Sequence, residues 1–281
     1  MKEIRAVLAA DMDFTLLLPG EDVPPGNEAA VKRLKENGIA FTIATGRSPF
    51  LVGKFAERLG IDIPIITSNG GALFDARTRK QFASKDFSDA KIRELLRFLI
   101  DNSADATLYS DEGIFFTPCS TRRAFVSSYN RGLDLSKQSP MIDIDSSFPG
   151  KDKLPSFNKI LLISADEKVS STLSSDPDLE VISSGPGLFD VMCKGVTKGA
   201  ALLSLADYLG VPESMTFAIG DSDNDLSMIE SARYGIAMGN ATEACKKAAC
   251  YITSNCDSLG FAKAVDDYII PLVNELSQAL T

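Results

Sequence analysis

Asp11 and Asp13 stand two apart where an apolar run ends, in Asp-Met-Asp-Phe-Thr-Leu, and Asp221 and Asp225 close a second such run, in Gly-Asp-Ser-Asp-Asn-Asp. Each group of carboxylates leaves the carboxyl end of an expected strand. If the two strands are neighbours, Asp11, Asp13, Asp221 and Asp225 converge on one cleft, where like charges repel unless a cation separates them. A hard divalent ion, most often Mg²⁺, is the natural partner of such a set. Acids arranged around that ion suit metal-assisted phosphoryl transfer.

Chemistry then assigns roles. A carboxylate can attack phosphorus to give an aspartyl-phosphate that water hydrolyses. Asp11, fixed at the strand end, is the expected nucleophile. Asp13 is placed to protonate the leaving oxygen and later to take a proton from water. Thr45 offers a hydroxyl and Gly46 an unobstructed backbone N–H to phosphoryl oxygens. Lys198 can neutralise charge on the transferred group. Asp221 can ligate the metal directly, Asp225 can hold a metal-bound water or orient Lys198, and Asn224 can fix the phosphate or a neighbouring loop. Phosphoryl transfer is mostly positioning and charge neutralisation, so this inventory is sufficient.

Composition excludes alternatives. The 281 residues contain no histidine, which removes Ser-His-Asp triads, histidine acid–base catalysis and histidine-ligated zinc. The formal charge of −9 argues against nucleic acid as a partner, because such contacts lean on Lys and Arg, while leaving a small phosphorylated substrate open. The five cysteines form no C-x-x-C pair, and they are read as free, buried thiols in a reducing compartment. No secretory leader or membrane-spanning run is evident, so the expected setting is the cytoplasm, with no membrane partner.

The elements that must position these residues follow from periodicity. Ile4 to Ala10 is an apolar run suited to a strand buried on both faces. Asn27 is read as the N-cap of a helix carrying Val31 and Leu34 inward and stopping near Gly38. Strands are expected at 39–44 and 64–67, separated by a helix with Leu51, Phe55 and Leu59 on one face and Gly60 at its end. This β-α-β-α-β order favours a parallel sheet. The middle differs. Ser88 caps a helix with Ile92, Leu95, Leu96 and Leu99 inward, a hairpin surrounds Asp111-Glu112-Gly113, a helix follows at 124–130, and Lys159 to Ile163 is a strand. Alternation returns with a helix at 198–209, strands at 216–219, 236–238 and 251–253, and helices between them. The expected fold is α/β: a Rossmann-like doubly wound parallel-sheet core, residues 1–81 and 189–281, interrupted by an inserted α+β cap at 82–188. Open parallel sheets bind ligands beyond the carboxyl ends of their strands, which is where the acids, Thr45-Gly46-Arg47 and the head of the Lys198 helix fall.

The set as a whole resembles the haloacid dehalogenase-like superfamily, and within it the Cof-type phosphatases. The resemblance rests on Asp-Met-Asp-Phe-Thr at 11–15, Ala-Thr-Gly-Arg at 44–47, Ser-Asn-Gly-Gly at 68–71, Lys-Gly at 198–199, Gly-Asp-Ser-Asp-Asn-Asp at 220–225 and Ala-Met-Gly-Asn-Ala at 237–241. It implies Mg²⁺-dependent hydrolysis of phosphomonoesters, with a cap domain governing substrate choice. Asp11 would be nucleophile and Asp13 acid/base, and the metal would take Asp11, the Asp13 backbone carbonyl and Asp221. Thr45, Gly46, Lys198 and Asn224 would contact phosphate. Family members usually carry Gly where this chain has Phe14, and Phe there is expected to keep φ negative and to wall the leaving-group side.

The remaining motif residues are read as structural. Arg47 is expected to pair with a structural acid, Asn69 to brace its loop, Asn240 to close a turn and Asp223 to face solvent or cap a helix. Arg122, Arg123 and Arg131 read as an exposed helix face, with a second anionic group on the substrate as the alternative. The leading substrate class is a sugar phosphate. Two rival functions stand beside hydrolysis: a phosphomutase of the same superfamily, and a non-catalytic phospho-acceptor or binding module. The second acid, Asp13, and the inserted cap speak against the latter.

Overall fold

A computed structural model describes residues 4–20, 23–163 and 167–279. Strand β1 (Ala6–Ala10) is buried at every position, so it can only lie inside a sheet covered on both faces. β2 (Ile39–Ile43) runs parallel to it, with Ala10 opposite Ile43. The helix between them, Pro25–Glu36, buries Val31 and Leu34 as expected. Its N-cap is Pro24, not Asn27. Proline is tolerated at the helix start because the first N–H groups have no intrahelical acceptor, and Asn27 instead donates its side-chain amide to the Leu16 carbonyl at 2.9 Å. That bond ties the first helix to the loop carrying Asp11 and Asp13. β3 (Ile65–Thr67), β4 (Ala72–Asp75) and β5 (Lys80–Ser84) form an antiparallel sheet, which joins the core through a parallel bridge between Ala44 and Ile66.

The insert is a six-stranded sheet made of β6 (Asp105–Ser110), β7 (Ile114–Phe116), β8 (Met141–Asp143), β9 (Phe157–Ile163), β10 (Leu179–Gly185) and β11 (Leu188–Cys193). The order is β10-β11-β9-β6-β7-β8, antiparallel except for β7 and β8. Ser88 caps the helix Asp89–Asp101, accepting from the Lys91 N–H, and Ile92, Leu95, Leu96 and Leu99 are buried against the sheet. Both expected boundaries fall inside strands: 81/82 within β5 and 188/189 within β11. β11 pairs with β9, so it belongs to the sheet of the insert.

The chain then completes the core with β12 (Thr216–Gly220), β13 (Tyr234–Ala237) and β14 (Tyr251–Ile252), giving the parallel order β14-β13-β12-β1-β2. The helix Lys198–Leu209 ends on Gly210 at φ 69°. A C-terminal helical segment, Gly260–Ala264 continuing through a π turn to Ile270–Ala279, buries Phe261, Val265, Ile269 and Val273 in the core. This segment lies outside the elements expected from periodicity. The fold is the expected one: a Rossmann-like doubly wound core with an inserted α+β cap. Its strand order reverses direction between β1 and β12, the crevice where such sheets take ligands.

Candidate active site

The two acidic motifs meet at that crevice because β1 and β12 are adjacent and in register, with Ala10 opposite Ile219. Asp11 continues β1 by donating its N–H to the Ile219 carbonyl at 2.9 Å. One carboxylate oxygen from each of Asp11, Asp221 and Asp225 lies within 4.8 Å of the others. Lys198, fully buried, sits among them and donates at 2.6 Å to both Asp11 Oδ1 and Asp225 Oδ1. Thr197 caps its helix through the Ala200 N–H, fixing the turn from which Lys198 projects.

Asp225 is committed within the protein. Its Oδ1 accepts from Lys198, and its Oδ2 accepts from the N–H groups of Asp221 and Ser222 at 2.9 and 3.0 Å. Of the two roles open to it, orienting Lys198 is the one its contacts describe. Gly220 makes this packing possible, because a Cβ there would stand 2.5 Å from the Cβ of Asp225. Asp221 is oriented by Thr15, whose hydroxyl donates to Oδ1 at 2.8 Å. Thr15 therefore links the two motifs, a role the residue pattern alone did not assign.

Three buried carboxylates thus share one buried ammonium. Burial first, then Asp225, raises the Asp11 carboxyl well above its usual range despite the opposing pull of Lys198. Burial, followed by the charge of Asp225, pushes Asp221 up to about 7. Burial opposes a charged Lys198, but Asp11 and Asp225 overcome it and raise the ammonium's pKa. Surplus negative charge on a set of hard oxygen donors is what a divalent cation of the Mg²⁺ class compensates, and the donor set fits one.

Asp13 stands apart from this group. Its carboxylate takes two contacts from the Arg47 guanidinium, 3.0 Å from Nε and 2.6 Å from Nη2. Arg47 therefore pairs with the expected acid/base, not with a purely structural acid. Phe14 has φ 60°, contrary to the expected negative value. A left-handed conformation costs a non-glycine residue about 1–2 kcal/mol, and here Asn240 holds the turn by donating to the Phe14 carbonyl at 3.1 Å. The half-exposed Phe14 ring lines the same cleft as Asp11 and Asp13.

Thr45 is buried at the end of β2, and its hydroxyl accepts from the Arg47 N–H at 3.2 Å. The turn it begins is held from the cap. Lys159 on β9 donates to the Gly46 carbonyl at 2.6 Å and forms an ion pair with Asp190 of β11 at 2.5 Å, both side chains being almost wholly buried. Asn69 donates to Asp190 Oδ2 at 2.7 Å and accepts from Asn224 at 3.4 Å. Ser68 and Asn69 both have left-handed backbones, φ 53° and 56°, and both side chains are buried. A Cβ on Gly46 would lie 3.0–3.2 Å from Asn69, Asp190 and Lys159. Asn69 braces its loop as expected. Lys159 and Asp190 were missed, since charged residues in strands usually face water. Asp223 is exposed, as expected.

A cavity of about 400 Å³ opens above these residues. The core contributes Asp11, Asp13, Thr45, Gly46, Asp221 and Asn224, and the cap contributes Tyr109, Arg122, Phe125, Lys159 and Leu188. Lys198 and Asp225 lie beneath Asp11. Of the expected site residues, only the Asp13 carboxylate is outside the acid–lysine cluster and its Asn69-linked flank, and it still borders the cleft. Among the described residues no helix is long and apolar enough to cross a membrane.

Residues 8–265 match the family model of haloacid dehalogenase-like hydrolases. The chain is 30% identical to the 5-amino-6-(5-phospho-D-ribitylamino)uracil phosphatase YwtE of Bacillus subtilis, covering 93% of this chain and 97% of that protein. It is 28% identical to a putative phosphatase of Mycoplasma pneumoniae, over 88% and 90% of the two chains. A solved haloacid dehalogenase-like hydrolase from B. subtilis superimposes with a TM-score of 0.81 at 28% identity, over 94% of this chain and 99% of that one. Convergent acids at the strand ends and a match over nearly the whole length lead to one conclusion: the chain belongs to the haloacid dehalogenase-like hydrolase family.

Proposed function

We propose that the protein is a Mg²⁺-dependent cytoplasmic phosphatase that hydrolyses a small phosphorylated metabolite, with sugar phosphates as the leading class, through an aspartyl-phosphate on Asp11. The observation that carries this is the buried Asp11–Lys198–Asp225 arrangement beside Asp221, open to a cavity of metabolite size. The relatives support it, since one of them is named for hydrolysing a phosphorylated ribitylaminouracil.

Asp11 and Asp221, with the Asp13 backbone carbonyl that the family resemblance adds, would hold Mg²⁺, which would supply positive charge to the phosphoryl oxygens. Asp11 Oδ1 is held by Lys198, which leaves Oδ2 to attack phosphorus as the ester P–O bond breaks. To give a proton to the departing oxygen, Asp13 must first leave the ion pair that Arg47 makes with both its oxygens and take up that proton. It then takes one from the water that attacks phosphorus and releases Asp11. Thr45, the Gly46 N–H and Asn224 receive the phosphoryl oxygens, and Lys198 balances their charge.

The test is phosphate release from p-nitrophenyl phosphate and a sugar phosphate panel. Release should require Mg²⁺, vanish with chelator and return on re-addition, and Asp13→Asn should slow turnover by ~10²-fold or more, the scale of acid–base assistance. Turnover that survives chelation, or that is indifferent to Asp13→Asn, contradicts the mechanism.

The acids also predict a pH effect on stability. Asp221 titrates near 7 in the cation-free fold, against about 3.9 when unfolded. Between those values the folded state binds more protons, so the cation-free protein loses stability as pH rises from about 4 through 7. Mg²⁺ binds the ionised carboxylates. Its stabilisation, about 2–3 kcal/mol at a hundredfold excess over Kd, should therefore be larger at pH 8 than at pH 6. Melting curves with and without Mg²⁺ at the two pH values check this, and an equal or reversed difference counts against it.

A further inference from the structure

We infer that Arg122 is a specificity-determining residue that binds a second anionic group, carboxylate or phosphate, carried by the substrate at the end away from its scissile phosphoryl group. The inference deepens the phosphatase reading and rests on it for the orientation of the substrate.

The other cations around the cleft are matched to acids. Arg47 is paired with Asp13, Lys159 with Asp190, and Lys198 with Asp11 and Asp225. Arg122 also lines the cleft. Among the described residues it forms no ion pair with an acid, and its Nε is buried with no hydrogen-bond acceptor. A buried donor without an acceptor is costly, the more so when it carries charge. The guanidinium is not loose, because it lies over the Phe125 ring, 3.9 Å from its centroid. Its charge reaches the interior: burial lowers the Lys159 pKa, and Lys198 and Arg122 add smaller contributions in the same direction.

The neighbouring cationic residues do not share this placement. Arg123, next in the chain, turns outward and pairs with Asp143, and Arg131 is the exposed residue that ends the helix. Only Arg122 of the three lines the cleft with the catalytic acids. A planar, pre-oriented guanidinium held against an aromatic ring matches carboxylate or phosphate oxygens in a two-point contact. Tyr109, Phe125 and Leu188 line the cleft beside it, and the Tyr109 hydroxyl accepts a hydrogen bond from the guanidinium, which orients it while Nε stays without an acceptor.

The test compares matched substrates in two arms. The carboxylate arm pairs glycerol 3-phosphate with 3-phosphoglycerate, and the phosphate arm pairs fructose 6-phosphate with fructose 1,6-bisphosphate. In at least one arm the second anion should raise kcat/KM, and Arg122→Ala should reduce that preference by about 10- to 100-fold, mainly through KM. Arg122→Lys should restore part of it. A preference unchanged by Arg122→Ala in both arms, or no preference in either, overturns the inference. The same ratios measured as Kd by calorimetry on Asp11→Asn protein separate the two readings. Anion preference without any phosphate release by the unsubstituted protein would sink the phosphatase and keep the anion site. Hydrolysis of p-nitrophenyl phosphate with no anion preference would do the reverse.

Discussion

Asp11→Asn is expected to lower phosphate release by ~10⁴-fold or more, with the loss confined to kcat. Asparagine keeps the volume of the side chain, and its carbonyl oxygen can still accept from Lys198. What disappears is the nucleophilic lone pair of a carboxylate and one negative charge beside the incoming phosphate. Removing that charge weakens repulsion of the substrate, so KM should stay level or fall. A merely structural role for Asp11 would give another pattern, with KM rising and stability dropping alongside turnover. Steady-state kinetics and urea unfolding of the same preparation distinguish the two.

Lys198→Met is expected to have the second large effect, and in two quantities at once. The ammonium is fully buried and holds Asp11 and Asp225 at 2.6 Å each. Removing one partner of a buried ion pair typically costs about 3–5 kcal/mol, because the remaining charge is left uncompensated. Turnover should fall by ~10³-fold or more, since Asp11 loses its orientation and the transferred phosphoryl loses a neutralising charge. Mg²⁺ should recover part of the stability, as a second cation for the same carboxylates, and little of the activity. Lys198→Arg should not rescue, because a fully buried site shaped to a point charge has no room for a planar guanidinium. Stability at wild-type level in Lys198→Met would show that the acids are compensated in some other way.

The site was legible where local chemistry and local periodicity coincide. β1 and β12 are short apolar runs that end in acids, and their burial in a parallel sheet brings the acids together. Lys198 stands at the head of the helix expected at 198–209, and the fold starts that helix at Lys198. What stayed hidden depends on tertiary contact. Lys159 heads the apolar run Ile160–Ile163, and Asp190 sits between Phe189 and Val191. Each would be anomalous alone and is stable only because they meet across β9 and β11. β10 and β11 were not read, although Gly185-Pro186-Gly187 marks the turn between them, because Ser183, Ser184 and Gly185 dilute the alternation that identifies a strand. Phe14 gave the wrong sign of φ, since the contact that holds its carbonyl comes from Asn240, more than two hundred residues away in the chain. Arg47 looked like a structural cation because nothing near it in sequence shows that Asp13 is its partner.

The central claim is that Asp11 itself carries the phosphoryl group between substrate and water. It is tested most directly by acid-quenching a turnover of ³²P-labelled substrate within milliseconds in the presence of Mg²⁺, then mapping the acid-stable label by peptide mass spectrometry. The account predicts label on Asp11 that appears before inorganic phosphate and decays as phosphate is released. Label on another residue, or steady phosphate release with Asp11 never labelled at any quench time, would contradict it.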